Sequence, residues 1–518
     1  MLKVHSIPET ELASSIYRVS VNGKAAPCFF SRVSAMPFNT PWPGHQRDLN
    51  QTEEAPFISF EADEKVTFTV KTKNAIKKAV VRPISKEIEV NILSENELSF
   101  TLCEANNYIL EVNGQHHALH IFFNPPRDFK SEALAEKESG RRVYYYGAGV
   151  HHIGHLDLPS HSTVTIDGGA VVYGSISAFG KEDVKINGYG ILDGSEETRA
   201  TGDMCVPTMK FWLSSENQTI NYPYKHFVND QPLFEEFFKN HKCLNGLVRF
   251  YFCNNSVLEG IILRDCSNFA VIPAVSDNIT IDRIKTIGMW RYNSDGIDIF
   301  NSANITVKNC FLRNFDDAMV IKGIAGWDFR NNENILVENC VIWCDWGAAL
   351  EIGAETNADE FCNILYRNCD LVHDSFGAMM RIHHHNRAKI HNIKYQNIRC
   401  EFCTDQMSPD FQTNDEQTYK NNPGKYQPYI LDMFLNPDHL YGRDDLRGNI
   451  FDITFEDIDL YYEEGLETLP QIHLNGLDEK VNVDNITLKN FRINKKPVTD
   501  INELNPIIED FVSNIHLK

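Results

Sequence analysis

At 518 residues the chain is too long for one small core, so two or more domains are expected. Its formal charge of −22 disfavours nucleic acid, anionic membranes and long polyanions as partners. No apolar run approaches the ~18 residues of a membrane span, the opening "MLKVHSIPETELASS" has no apolar signal core, and 13 Cys without a short-spaced framework read as free buried thiols, so a cytoplasmic, reducing location is expected.

Residues 1–130 hold short runs divided by turn residues, among them "KVTFTVKT", "ELSFTLC", "YILEVNG" and "ALHIFFN". Strands at this spacing predict an antiparallel β-sandwich. Within it, residues 42–54 form a Pro-interrupted polar loop that offers Trp42 and Arg47 as candidate cleft contacts. The polar segment 124–140 marks the boundary, and residues 131–518 make the second domain.

That second domain repeats. The pattern is Asn, aliphatic, any, apolar, any, Asn, then Cys or an apolar residue. It reads "NITIDRI" from Asn278, "NITVKNC" from Asn304, "NILVENC" from Asn334, "NILYRNC" from Asn363 and "NIKYQNI" from Asn392, with looser copies at Asn255, Asp452 and Asn485. Consecutive starts from Asn255 to Asn392 differ by 23, 26, 30, 29 and 29 residues. Such a period means a solenoid, propeller or array. The alternation inside each copy is a strand period, which points to a parallel β-helix. The seventh position, Ile261, Ile284, Cys310, Cys340, Cys369, Ile398, Ile458 and Phe491, should stack inward. The sixth, Asn309, Asn339, Asn368 and Asn397, should hydrogen-bond from coil to coil at a turn that tolerates left-handed backbone. Two insertions, about 197–245 and 402–448, break the repeat, and long insertions in a solenoid often shape a cleft.

One segment, "RNFDDAMVIKG", places Asp316 and Asp317 at the head of an apolar run, 21 residues after the Asp295 of "YNSDGIDIF". That separation is just under one coil, so the two segments should be neighbours about 4.8 Å apart. Clustered carboxylates shift one another's pKa values. One kept protonated can act as general acid and an ionised neighbour can activate water, which is what glycosidic hydrolysis requires. The bland readings are a solvated acidic turn or a calcium site. Asp298 is expected beneath the site in a structural role. Lys322, on the same strand as the pair, either contacts substrate or neutralises a carboxylate. In "RIHHH", residues 381–385, alternation puts His383 and His385 on one face, yet no companion ligands have metal spacing. Trp290, Trp343 and Trp346 are candidate sugar platforms or core.

"NSDGIDI" followed by "DDAMVIKG" resembles the active-site signature of polygalacturonases, glycoside hydrolase family 28. Dextranase-type enzymes of family 49 have a similar acidic arrangement behind an N-terminal β-sandwich. The resemblance covers about residues 142–495 and includes "GGAVVYGSI" and "DVKINGYGILDGS". It implies a right-handed parallel β-helix and single-displacement hydrolysis with inversion. Asp316 matches the general acid, Asp295 and Asp317 the carboxylates that activate water, and Asn293 a substrate-contacting position. The family's Gly-His-Gly-Leu-Ser-Ile-Gly is "GAALEIG" here, residues 347–353, with Ala348 for His and Glu351 for Ser. Its Arg-Ile-Lys is Arg381-Ile382-His383.

A uronate needs a cation beside it, and His383 is mostly neutral near pH 7 while Glu351 repels. The expected activity is therefore an inverting glycoside hydrolase for a neutral, dextran-like α-glycan. Asn293, Lys322, Glu351, Arg381, His383 and Trp346 are the expected substrate contacts. A polygalacturonase-type pectin hydrolase, a lyase or epimerase on the same fold, and a non-catalytic carbohydrate-binding β-helix are the alternatives. No cofactor or metal is implied. A carbohydrate is the expected partner, without nucleic acid or membrane, and oligomeric state is left open.

Overall fold

The computed structural model describes residues 1–35, 39–40, 52–197, 246–291, 293–324, 327–406, 410–411, 427–437 and 445–518. Its N-terminal part is two five-stranded sheets packed face to face. One runs Leu2–Val4, Phe57–Ala62, Leu119–Asn124, Asn107–Val112, Ala79–Arg82. The other runs Asn91–Ser94, Glu97–Leu102, Val66–Thr72, Tyr17–Val21, Lys24–Ala26. Alternation drives Phe60, Phe68, Phe100 and Ile121 into the space between them. The antiparallel expectation needs one correction. Leu119–Asn124 closes a hairpin with Asn107–Val112, and its free edge then meets Phe57–Ala62 running the same way, so that pair is parallel. Trp42 and Arg47 lie outside the described residues.

The segment expected to be a polar linker contains a helix, Phe129–Glu138. Asp128 caps it by accepting the Ser131 N–H at 3.1 Å. Phe129 and Ala133 are its buried side chains, and Glu136 pairs with Lys185 at 2.9 Å. The helix packs on Arg142–Tyr146 and Ser162–Ile166, covering the first coils of the solenoid as a terminal cap must.

From Arg142 onward the chain is a right-handed parallel β-helix. A representative coil has strands Ala303–Lys308, Phe311–Asn314 and Met319–Gly323, and the next has Asn332–Glu338, Val341–Cys344 and Leu350–Thr356. Register holds from coil to coil: Ile279, Ile305, Ile335, Ile364, Ile393, Ile453 and Ile486 are successive partners. The inward column from Ile261 to Phe491 is buried throughout, and Cys310, Cys340 and Cys369 are free thiols within it. Asn339 donates to Asn309 at 3.3 Å, Asn368 to Asn339 at 2.6 Å and Asn397 to Asn368 at 3.1 Å. Their φ values are 54° to 57°. A second ladder, not assigned from sequence, joins the first asparagines of the repeat: Asn334 donates to Asn304 and Asn363 to Asn334, both at 3.3 Å.

The three strands of a coil give three sheets with different outer faces. The middle face is apolar: Val171, Ile191, Ile262, Phe311 and Val341 meet Phe29, Phe57 and Phe122 of the sandwich. Trp343 belongs to this interface, fully buried with the Arg313 guanidinium 3.6 Å from its ring centroid, and is no sugar platform. The sandwich thus covers the middle sheet and leaves the third sheet's outer face for chemistry. Residues 198–245 and much of 402–448 lie outside the described residues, but the latter insertion includes a strand, Tyr429–Leu435, that extends the third sheet beside Met380–His384. No described helix is long and apolar enough to cross a membrane.

The ladder predicts its own test. Asn339→Ala loses two coil-to-coil bonds, one donated to Asn309 and one accepted from Asn368, and places a Cβ-bearing, non-bonding residue at φ 57°. We expect a loss of about 1–2 kcal/mol in urea unfolding, with Asn339→Gly milder because glycine accepts that backbone.

Candidate active site

Strand register builds the site. Ile297, Met319, Leu350 and Met380 are successive partners pointing inward. The residue two places before each of the first three is Asp295, Asp317 and Ala348. These three positions therefore line up at the turn entering the third sheet. The Gly296 N–H donates to the Asp317 carbonyl at 2.9 Å, which fixes Asp295 and Asp317 on adjacent coils. Gly347 has to be glycine: a Cβ there would meet the Asp317 backbone nitrogen and Oδ1. Ala348, where the family pattern has His, contributes its backbone N–H to Asp317 Oδ1 at 3.1 Å.

Lys322 organises the carboxylates. Its Nζ lies 3.0 Å from Asp295, 3.4 Å from Asp298 and 3.4 Å from Asp317. All four side chains are buried, whereas Asp316 is partly exposed. Of the two readings for Lys322, these distances support neutralisation of carboxylates. Asp298 sits beneath the site as expected.

Burial first, and then the facing carboxylates of Asp295 and Asp317, push the Asp316 carboxyl well above the ordinary range. Burial pushes Asp295 up as well. Lys322, 3.0 Å from Asp295, opposes that rise at Asp295, whereas the carboxylates of Asp295 and Asp317 add to it at Asp316. Burial would also raise Asp317, but Lys322, a hydrogen bond from Glu351 and the Arg381 charge hold it at about 2. Asp298, buried against its neighbours, is pushed up to about 7.

On the outer face of the third sheet Asp298, Val320, Glu351, Arg381, Asp432 and His473 form one row. Arg381 donates to Glu351 at 2.5 Å and to Asp317 at 3.4 Å. Burial and the Asp317 charge push Glu351 well up, so it is the proton donor in its bond to Asp317. His383 and His385 share a face and touch, as alternation required, while His384 turns inward to Thr356 Oγ1 at 2.6 Å. Burial and the neighbouring Arg381 hold His383 well below its ordinary pKa, so it is neutral.

Trp346 stacks on Phe376 with ring centroids 4.0 Å apart, and Phe376 is exposed at the edge of the groove. Trp290 is buried and bonds Asp265 at 3.2 Å, away from that stack. Asn293 holds φ 54° in the turn that carries Asp295. Beyond Arg381 the groove continues as a cavity of about 430 Å³ whose walls include Phe376, Tyr429, Phe434, Asp432 and His473. Asp432 and His473 pair at 2.6 Å. Sequence reasoning missed both; extending the alternation of "RIHHH" one coil onward to "ILDMF" would have found Asp432.

Residues 235–420 match the model of the glycosyl hydrolases family 28. The chain is 28% identical over 116 residues, 22% of each chain, to a probable endopolygalacturonase D of Neosartorya fischeri. It is 20% identical over 294 residues, 53% of each, to endopolygalacturonase D of Aspergillus niger. The matched segments thus span from about a fifth to about half of these curated relatives. In fold, the chain is similar to Dex49A from Penicillium minioluteum at a TM-score of 0.61 and 13% identity, over 100% of this chain and 96% of that one. In sequence the chain is thus similar to the glycosyl hydrolases family 28 across residues 235–420, and in fold it is similar to Dex49A.

Proposed function

We propose that the protein is an inverting glycoside hydrolase acting on a neutral α-linked glycan. The observation that carries the reading is a charge balance. Two cations, Lys322 and Arg381, meet five carboxyl groups: Asp295, Asp298, Asp316, Asp317 and Glu351. Lys322 lies 3.0–3.4 Å from Asp295, Asp298 and Asp317, and Arg381 donates to Glu351 and Asp317; of these carboxyls Asp317 is held low and ionised, while burial raises Asp295, Asp298, Asp316 and Glu351. Neither cation is left over for a substrate carboxylate.

That distribution suits single displacement. Asp316, the partly exposed protonated group, donates to the glycosidic oxygen as the bond to the anomeric carbon breaks. Asp317, assisted by Asp295, takes a proton from a water that attacks the same carbon from the opposite face. The water oxygen and one of its protons stay on the sugar as the new hydroxyl, the other water proton goes to Asp317, and the Asp316 proton goes to the leaving hydroxyl. Lys322 keeps the base ionised in a site where burial alone would protonate it.

Galacturonan hydrolysis is the second reading, supported by the names of the curated relatives. Against it stand the neutral His383 and the engagement of Arg381 by Glu351. The same balance disfavours a lyase or epimerase, whose chemistry also needs a cation on a uronate carboxylate. Wrapped around the groove, Trp346–Phe376, Tyr429 and Phe434 offer apolar surface to sugar C–H faces.

Three outcomes follow. Asp316→Asn lowers kcat at least ~100-fold, the scale of a lost general acid, while circular dichroism and thermal melting stay as in the wild type. Lys322→Gln moves the acid limb of the pH–rate profile upward by about one unit or more, because removing a cation raises the pKa of the carboxylates it served. Glu351→Ser combined with His383→Lys releases Arg381 and adds a cation, so kcat/KM on oligogalacturonides rises at least ~10-fold relative to a neutral glycan, the scale of one charge-assisted hydrogen bond.

A further inference from the structure

A second cavity lies where the sandwich meets the asparagine ladder. Its volume is about 440 Å³, and the catalytic carboxylates do not line it. The sandwich contributes Lys86, Glu104, Asn106, Asn107 and Asn124. The solenoid contributes Arg283, Lys285 and Arg399, with Asn309, Asn339, Asn368 and Asp370.

The charges of this wall do not cancel. Lys86 has Glu104 at 2.7 Å, Arg399 has Asp370 at 2.8 Å, and Arg283 has Asp282 at 2.8 Å. Among the described residues Lys285 has no such partner. Its ammonium donates to Asn124 Oδ1 and, at 3.1 Å, to the Gly260 carbonyl, both uncharged. Asp282 and Glu259 act on it only from longer range. The side chain is 2% exposed. Burying an ammonium without a counter-charge is costly, and burial accordingly depresses Lys285 to about 7. In a chain of net charge −22, this cavity thus holds one buried lysine without a counter-ion among the described residues, and an anion beside it would restore its charge.

The remaining lining is amide-rich. Asn339 and Asn368 each use one side-chain N–H along the ladder, and Asn309 uses one on Asp282. Each side-chain amide has a second N–H donor. Amide donors and acceptors around one cation match hydroxyl groups around one carboxylate.

We propose that this cavity binds a sugar acid, a small polyhydroxylated monocarboxylate of the uronic or aldonic class, with the carboxylate on Lys285 and hydroxyls on the asparagine amides. One restored charge fits a monoanion better than a phosphate dianion, and the volume suits one or two sugar-sized units. The site is independent of the glycosidase reading, since it shares no lining residue with the groove.

Isothermal titration calorimetry on the intact chain tests it, with galacturonate, glucuronate and gluconate as probes against glucose and inorganic phosphate. At least one sugar acid should bind with a Kd at or below about 1 mM, and glucose should give no measurable heat. Lys285→Met should weaken that binding at least tenfold. Asn106→Asp, an isosteric change that adds negative charge to the wall, should weaken it too and covers the case in which Lys285→Met fails to fold. Asp316→Asn should leave it unchanged. Absence of binding by every sugar acid, equal binding of glucose or phosphate, or undiminished affinity in folded Lys285→Met or Asn106→Asp would overturn the assignment.

Discussion

The site depends on one buried ammonium. Lys322 stands 3.0–3.4 Å from three carboxylates on two coils, and without it Asp295, Asp298 and Asp317 would share a low-dielectric turn with only Arg381 to offset them. Such a cluster would protonate, and no base would remain. The β-helix makes the contact possible. Its in-register coils put residues 22 apart side by side, so the Asp295 turn and the Asp317 turn meet at strand spacing while Lys322, further along the second strand, reaches back over both. The ladder asparagines and the inward column hold that register, which links a repeat legible over two-thirds of the chain to the position of a few oxygen atoms.

The same balance sets what the groove can accept. Arg381 is the remaining cation on the row, and Glu351 from the preceding coil occupies it. The next position along, His383, is buried against Phe434 and neutral. Farther out, the Asp432–His473 pair is itself a closed ion pair. Among the described residues the groove thus offers hydrogen bonds and aromatic faces, with Lys322 and Arg381 engaged by carboxylates, which supports the proposed neutral glycan.

Much of this was readable from residues alone, for physical reasons. A seven-residue pattern with a strand period forces an inward column, so the burial of Cys310, Cys340 and Cys369 followed from spacing. Asparagine at a left-handed turn is chemically specific, so the ladder was visible too. Asp316 and Asp317 stood out because charge inside an apolar run needs a reason. Other features left no such mark. The helix Phe129–Glu138 buries only Phe129 and Ala133, too few to impress a helical period on a polar segment. Trp343 stayed open between platform and core because sequence does not say which outer face a second domain covers. Asp432 lies within an insertion and His473 beyond it, where the repeat has decayed and neighbours in space are 41 residues apart. Nothing in the repeat marks Lys285, which is buried where Asn124 of the sandwich accepts from its ammonium.

The central claim is direct displacement by water between Asp316 and the Asp295–Asp317 pair. Proton NMR of the anomeric signals during the first turnovers on a cleaved α-glycan tests it most directly. The account predicts that the new reducing end appears first as the β-anomer and equilibrates only by mutarotation. A first-formed α-anomer would mean a covalent intermediate on one of these aspartates and would contradict the account.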